Sequence, residues 1–319
     1  MHDNLDGVPA SCNNASSTSA HHEGGSIHSS CYGAHSVRGP IIQTDTLKNG
    51  GFPETTQAET PGKRVQLADQ LGSLALHPRK EILVTASDDR LWKMWSIPSG
   101  EIIMTGEGHS DWLSGCCFHP NGTKLATCSG DSTVRIWDFA KSECILTLEG
   151  HTHAVWGCSW HTCGDFLASC SLDNNSKIWD LNSERCRYTM RGHVDSVNSI
   201  EFLPYSNIVL TSSADKTLSL WDARMGVCAQ TFYGHLHSCN YATFNMKGDT
   251  IASCDSYGTL KLWDVRKVSA MLSVDAGPHP GNQVAFDPSG ETKPTTDLPI
   301  MVDWVVGASI VCEDSPFKG

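Results

Sequence analysis

The 319-residue sequence predicts an all-β fold, a β-propeller of four-stranded antiparallel blades with five complete blades and a partial sixth. Three regularities predict it. Trp95, Trp137, Trp179, Trp221 and Trp263 stand 42 residues apart, and the last four are each followed by an Asp: Asp138, Asp180, Asp222 and Asp264. Gly-His pairs at 108–109, 150–151, 192–193 and 234–235 keep the same interval. Within each unit, runs such as Thr133-Val134-Arg135-Ile136-Trp137 alternate polar and apolar residues, the period of a strand with two unequal faces.

A 42-residue period that carries both a Gly-His and a Trp-Asp pair is the signature of WD40 repeats, whose strands assemble into propeller blades. Asn121-Gly122, Cys163-Gly164 and Lys247-Gly248 predict hairpin turns between first and second strands. The second blade then reads as strands near 113–119, 124–129, 133–138 and 143–149, and the five blades begin near 71, 113, 155, 197 and 239. Counting back 42 from Trp95 and Asp89 reaches Pro53 and Leu47, so no earlier blade is expected. Residues 1–64 carry only Tyr32 and Phe52 as aromatics among clusters of Ser, Asn, Gly and His, a composition that predicts a disordered, low-complexity segment.

Counting forward from Trp263 reaches Val305, with Trp304 beside it, a one-residue displacement that would turn a strand's side chains to the opposite face. The blades are therefore expected over 65–290 and a divergent tail over 291–319. In that tail Ile300–Val306 and Ser309–Cys312, separated by Gly307, are expected to complete the sixth blade as a hairpin.

An excess of 35 Asp+Glu over 23 Lys+Arg, a formal charge of −12, works against binding to nucleic-acid phosphates or anionic membranes. No apolar run reaches the ~20 residues of a membrane span. The first thirty residues lack a basic stretch followed by an apolar one, so a soluble, unsecreted chain is expected and the sequons Asn121-Gly122-Thr123 and Asn174-Asn175-Ser176 are read as idle. Many of the 14 cysteines fall at the repeat interval (Cys144, Cys186, Cys228; Cys116, Cys158; Cys128, Cys170), which reads as small core fillers instead of bridges or zinc ligands. No metal or cofactor is expected.

Three units repeat one polar set: His109, Ser129, Asp131, Trp137; His151, Ser171, Asp173, Trp179; and His193, Ser213, Asp215, Trp221. Ser, His and Asp together can build a nucleophile. Their recurrence around a ring points instead to a buried network in which the turn Asp accepts from His, which connects through Ser to the indole N–H. No catalytic residue is assigned and no phosphate loop or nucleophile elbow occurs, so the chain reads as non-enzymatic. The network is expected to fray in the fifth unit, with Tyr257 in place of Asp and Asp255 in place of Ser, and in the first, with Leu67 in place of His.

Propellers bind partners on the face whose loops enter the inner strands. The repeat places Asp111, Trp112, Ser114, His153, Trp156, Asp195, Ser196, Asn198, His237 and Asn240 there as candidate protein-binding residues, with Trp112 and Trp156 foremost. A second reading comes from Trp221-Asp222-Ala223-Arg224 and Trp263-Asp264-Val265-Arg266, which match the WDxR pattern of substrate receptors for cullin ubiquitin ligases.

The words SDDRLWKMWSIPSGEIIMTGEGH, LEGHTHAVWGCSWH, CRYTMRGHVDSVNSIEFLPYSN and VCAQTFYGHLHSCNYATFNMKGDTIASCDSYGTLKLWDVRKV exceed what repeat spacing demands. Over Leu74 to Gly290, about two thirds of the chain, the sequence resembles the sperm-associated antigen 16 family of WD-repeat proteins. The resemblance implies a seven-bladed propeller behind a coiled-coil amino-terminal region. It further implies a scaffold of the ciliary and sperm-flagellar axoneme that supports cilium assembly, structure and motility, with other axonemal central-apparatus proteins as partners. The expected location is the cytoplasm and cytoskeleton at the axoneme, with the nucleus as the alternative compartment. Heptads are absent from residues 1–64, and the match stops after Gly290.

Overall fold

Each alternating run between 71 and 286 becomes a strand, because its apolar side chains can be covered on both faces only when sheets stack against one another. The computed structural model describes residues 71–97, 99–286 and 300–303; the segment 1–64 and most of the 291–319 tail lie outside the described residues. The first sheet is β1 (Leu71–Leu76), β2 (Ile82–Ser87), β3 (Trp92–Ser96) and β4 (Ile102–Gly106). The second is β5 (Leu113–Phe118), β6 (Lys124–Ser129), β7 (Val134–Asp138) and β8 (Glu143–Leu148). The third is β9 (Val155–Trp160), β10 (Phe166–Ser171), β11 (Asn175–Asp180) and β12 (Arg185–Arg191). The fourth is β13 (Val197–Phe202), β14 (Ile208–Ser213), β15 (Thr217–Asp222) and β16 (Val227–Tyr233). The fifth is β17 (Cys239–Phe244), β18 (Thr250–Asp255), β19 (Thr259–Asp264) and β20 (Ser269–Asp275). All five are antiparallel meanders in sequence order, and no helix occurs among the described residues.

A sixth sheet pairs β21 (Gln283–Phe286) with β22 (Ile300–Asp303), Gln283 opposite Asp303 and Phe286 opposite Ile300. Residues 300–303 thus pair directly with the sixth blade's first strand; the remainder of the expected hairpin lies outside the described residues.

Successive sheets pack face to face, with β1, β5, β9, β13, β17 and β21 in contact along the inner rim. Ala75, Val84, Ala86, Trp92 and Met94 of the first sheet meet Leu113, Cys116, Leu125 and Trp137 of the second. The same layer recurs between the second and third sheets, where Ile136 and Leu148 meet Val155, Leu167 and Trp179. Each fully buried Val, Leu or Ile contributes about 1.5–3 kcal/mol, so cohesion is spread over the seams and is thinnest at the last, where Tyr241, Ala252 and Cys254 meet Val284. The cysteines divide. Cys116, Cys128, Cys158 and Cys170 are core fillers as expected, but Cys144 is only half-buried and Cys186 and Cys228 are exposed. That second series sits on the outer strands, where no further strand covers the edge, and its thiols point at the carbonyls of Leu146, Tyr188 and Gln230.

A bulge opens the inner strand of each four-stranded sheet, skipping Gly72, Ser114, Trp156, Asn198 and Asn240 in the ladder. A bulged residue is re-aimed out of register. Here the side chains reach the next blade: Ser114 Oγ donates to Val155 O, Asn198 Nδ2 to Cys239 O at 2.8 Å and Asn240 Nδ2 to Gly281 O at 3.0 Å. Deeper in the same seam, Glu201 accepts from the Phe244 amide at 3.3 Å, and burial pushes its carboxyl up to about 7 against hydrogen bonds from Thr243 and Phe244 that pull it down.

Deleting residues 291–319 is expected to lower the melting temperature and the aggregation threshold, because it removes β22 and leaves the β21 edge unpaired. Unchanged thermal scans and light scattering after the deletion would show that the tail completes nothing.

Candidate functional site

The Gly-His pair lies on the loop that leaves one sheet's outer strand and enters the next sheet. In the second blade, His109 Nδ1 is 2.8 Å from Asp131 Oδ2 in the β6–β7 turn, and His109 Nε2 is 2.8 Å from Thr127 Oγ1 on β6. Trp137 Nε1 on β7 donates to the same hydroxyl at 2.8 Å. The third blade repeats this with His151, Asp173, Ser169 and Trp179, and the fourth with His193, Asp215, Thr211 and Trp221, all at 2.7–2.8 Å. The donors balance with the imidazole proton on Nδ1: Nδ1–H donates to the carboxylate, while the hydroxyl donates to Nε2 and accepts from the indole. Loop, second strand, third strand and turn are thereby tied through one set of buried groups.

The structure corrects the expected relay. Ser129, Ser171 and Ser213 do not touch the indoles; the connecting hydroxyls are Thr127, Ser169 and Thr211, two residues earlier on the same strand. Ser129 Oγ instead donates to Asp111 O at 3.0 Å and accepts the Asp131 amide at 3.1 Å, and Ser171 and Ser213 likewise bond the inbound loop and their own turn Asp. The sequence did carry the signal: Thr85, Thr127, Ser169, Thr211 and Ser253 place a hydroxyl at every repeat.

The fifth blade is also corrected, because its network is intact. Asp255 Oδ2 is 3.0 Å from His235 Nδ1, His235 Nε2 is 2.7 Å from Ser253 Oγ, and Trp263 Nε1 donates to Ser253 at 2.8 Å. The carboxylate has moved two residues back and still accepts the turn amides of Tyr257 and Thr259. In the first blade Trp95 keeps its bond to Thr85 at 2.9 Å, whereas Asp89 pairs with Lys93 at 2.8 Å; position 67 lies outside the described residues.

Electrostatics follow from this geometry. Burial would raise the Asp131, Asp173 and Asp215 carboxyls, but hydrogen bonds from the histidines and turn groups outweigh it and hold all three well below the usual range. Burial pushes His151 and His235 down against the pull of Asp173 and Asp255, which favours neutral imidazole. The relay hydroxyls Thr127, Ser169, Thr211 and Ser253 are fully buried and already bonded on two sides, so no substrate carbonyl can approach them. No group of His, Cys, Asp or Glu among the described residues has metal-binding geometry.

The partner-face candidates separate into two sets. Asp111, His153, Asp195 and His237 are exposed, and Trp112 and Trp156 are half-buried with ring centroids 5.3 Å apart. Gly130 gives Trp112 its seat, since a Cβ there would lie 2.7 Å from the indole. Ser114, Ser196, Asn198 and Asn240 are buried and occupied: Ser114, Asn198 and Asn240 by the blade-to-blade bonds above, Ser196 by accepting from Trp156 Nε1 at 3.0 Å and donating to Asn198 Oδ1. The bulge aims Ser114, Asn198 and Asn240 at the next blade, and Ser196 is held between Trp156 of the preceding blade and Asn198 of its own. Arg224 folds back on Asp222 of its own strand, with Nη2 at 2.8 Å from the carboxylate.

The matched family model, WD domain, G-beta repeat, covers residues 67–96, 100–138, 142–180, 184–222 and 226–264, more than half of the sequence, and the chain belongs to that family. Each matched repeat after the first begins with the previous blade's outer strand and ends at the Trp-Asp pair, so sequence repeat and blade are offset by one strand. Three relatives share a short stretch. The chain is 66% identical over 41 residues to the flagellar WD repeat-containing protein Pf20 of Chlamydomonas reinhardtii, 13% of this chain and 7% of that protein. It is 64% identical to the sperm-associated antigen 16 protein of Mus musculus and 61% identical to that of Homo sapiens, each over 43 residues, 14% of this chain and 7% of the relative.

Asp173→Ala and Asp255→Ala are each expected to lower stability by about 1–3 kcal/mol in urea unfolding, because each strands a buried imidazole donor. Tyr257→Ala is expected to stay within about 0.5 kcal/mol of the parent. An Asp255→Ala curve that overlays the parent would show that the fifth network is idle.

The pH profile should steepen as the solution is made more acidic. His77, His119, His151, His161 and His235, all lowered from 6.5 by burial, lose their contribution as pH falls below 6.5. Glu201, raised from 4.5 to about 7, gains over the same interval, and the two oppose. Below 3.8 the same three Asp residues take up protons in the unfolded chain while Asp131, Asp173 and Asp215 stay ionised in the fold, so stability falls steeply. Glu201→Gln should uncover the histidine slope, so that its melting temperature already falls on acidification from 6.5; a variant with the parent's profile would contradict this assignment.

Proposed function

We propose that this WD-repeat protein is a non-enzymatic scaffold of the ciliary and sperm-flagellar axoneme, where it supports cilium assembly, structure and motility by holding other axonemal proteins. The observation that carries this reading is the 61–66% identity to proteins named flagellar or sperm-associated, in a stretch of repeat whose spacing alone does not require those residues. The matched stretch spans about 7% of each relative's length. The site supports a binding role: its Ser, His and Asp groups are consumed in holding blades together, while Asp111, Trp112, His153, Trp156, Asp195 and His237 stay at or near the surface on one end of the array. Large, rigid Trp side chains contribute disproportionately to protein interfaces.

Proximity labelling with this chain in ciliated cells is expected to enrich axonemal proteins over a cytosolic control, and Trp112→Ala with Trp156→Ala is expected to reduce that enrichment. Nuclear proteins in place of axonemal ones would contradict the location. Unchanged enrichment by the double variant would remove the two tryptophans from the interface.

A further inference from the structure

The fifth blade differs from its neighbours in a way its own stability does not require. Its network carboxylate comes from Asp255, which frees position 257, occupied in the second to fourth blades by Asp131, Asp173 and Asp215, for a Tyr that is 64% exposed. Tyr257 lies flat on His237, with ring centroids 4.7 Å apart and 18° between planes, and its other face is open. The next residue is Gly258 at φ +89, where a Cβ would run into the carbonyls of Gly277 and His279. The preceding blades carry Ser132, Asn174 and Lys216 at this place, all with side chains. Gly258 therefore lets the loop into the sixth sheet settle against the turn, fixed by the Ala276 amide bonding to Gly258 O at 3.0 Å.

This approach leaves a shallow, open cleft of about 390 Å³ lined by Tyr257, Asp275, Gly277 and Pro278. Asp275 is exposed at its edge; one oxygen accepts the Gly277 amide at 3.1 Å, and among the described residues no Lys or Arg pairs with it. Gly277 leaves the floor open, with nothing within 4 Å of where its Cβ would stand. Along the same rim the loops turn apolar: Val194, Leu236 and Pro278, the last of them in the cleft wall, occupy one repeat position in the loops entering the last three sheets and are all exposed, whereas Ser110 and Thr152 hold that position earlier.

We propose that this cleft is a docking site for an arginine side chain presented by an extended segment of a partner protein. A planar guanidinium can stack on the open face of Tyr257 while its N–H groups meet the free oxygen of Asp275, and an extended segment running along the rim would cover exposed Pro278 and Leu236. An acidic chain with a net charge of −12 favours a cationic anchor over an anionic one. The site rests on the reading of this chain as a protein-binding scaffold, but not on where in the cell it works.

The test is a titration of the full chain, labelled with fluorotyrosine, with N-acetyl-arginine methylamide and with its uncharged citrulline isostere, the Tyr257 resonance being assigned from Tyr257→Phe. The arginine probe is expected to shift the Tyr257 signal saturably and to bind about tenfold more tightly than citrulline. Asp275→Asn should remove that preference and Tyr257→Ala should weaken both probes, with thermal unfolding unchanged in each. Equal binding of the two probes, or no Tyr257 shift at any soluble concentration, would overturn the site. Proximity labelling of axonemal proteins that survives such a failure would leave the scaffold reading standing, while arginine binding without axonemal labelling would do the reverse.

Discussion

The indole N–H of one tryptophan per blade is the group on which the rest of the structure depends. A Trp on the third strand is a large apolar surface for packing against the neighbouring sheet, yet it carries one donor that cannot be left dry inside a protein. A hydroxyl on the second strand accepts it, a histidine from the inbound loop bonds the hydroxyl, and a turn carboxylate bonds the histidine. The demand of one buried donor thus recruits four pieces of backbone that are distant in sequence. It also fixes the loop geometry at one end of the second to fifth blades, which is the end where Trp112, Trp156 and Tyr257 are displayed.

A bonding scheme of this kind constrains atoms more than residue types, and the fifth blade shows how far that freedom goes. The carboxylate can be delivered from Asp255 instead of the turn position, provided that it still reaches His235 and caps the turn amides of Tyr257 and Thr259. A tyrosine at the released position costs the fold nothing visible and gives the surface an aromatic face. Structural redundancy of this sort is one physical route by which a repeat whose neighbours are nearly equivalent acquires a distinct binding surface.

Much of the architecture was legible because it is periodic. The 42-residue spacing located all five sheets, and the expected starts at 71, 113, 155, 197 and 239 are the first residues of β1, β5, β9, β13 and β17. What periodicity conveyed poorly was direction. Ser129 and Thr127 lie two residues apart on the same strand face, so alternation cannot decide which of them reaches the indole. The bulges hid the fate of Ser114, Asn198 and Asn240, since a skipped residue leaves no mark in composition yet changes where its side chain points. Alignment by position alone likewise made Asp255 look like a lost serine, when in space it is the network's carboxylate.

Hydrogen exchange at the indole nitrogens tests the central claim most directly. Proton–nitrogen spectra resolve Trp Nε1–H groups one by one, and the four complete networks predict that those of Trp137, Trp179, Trp221 and Trp263 exchange as slowly as the strand amides around them. Asp173→Ala should speed Trp179 far more than the other three, because the hydroxyl it bonds has lost its support. Exchange of all four at the rate of solvent-exposed indoles, in a chain that is otherwise folded, would contradict the account.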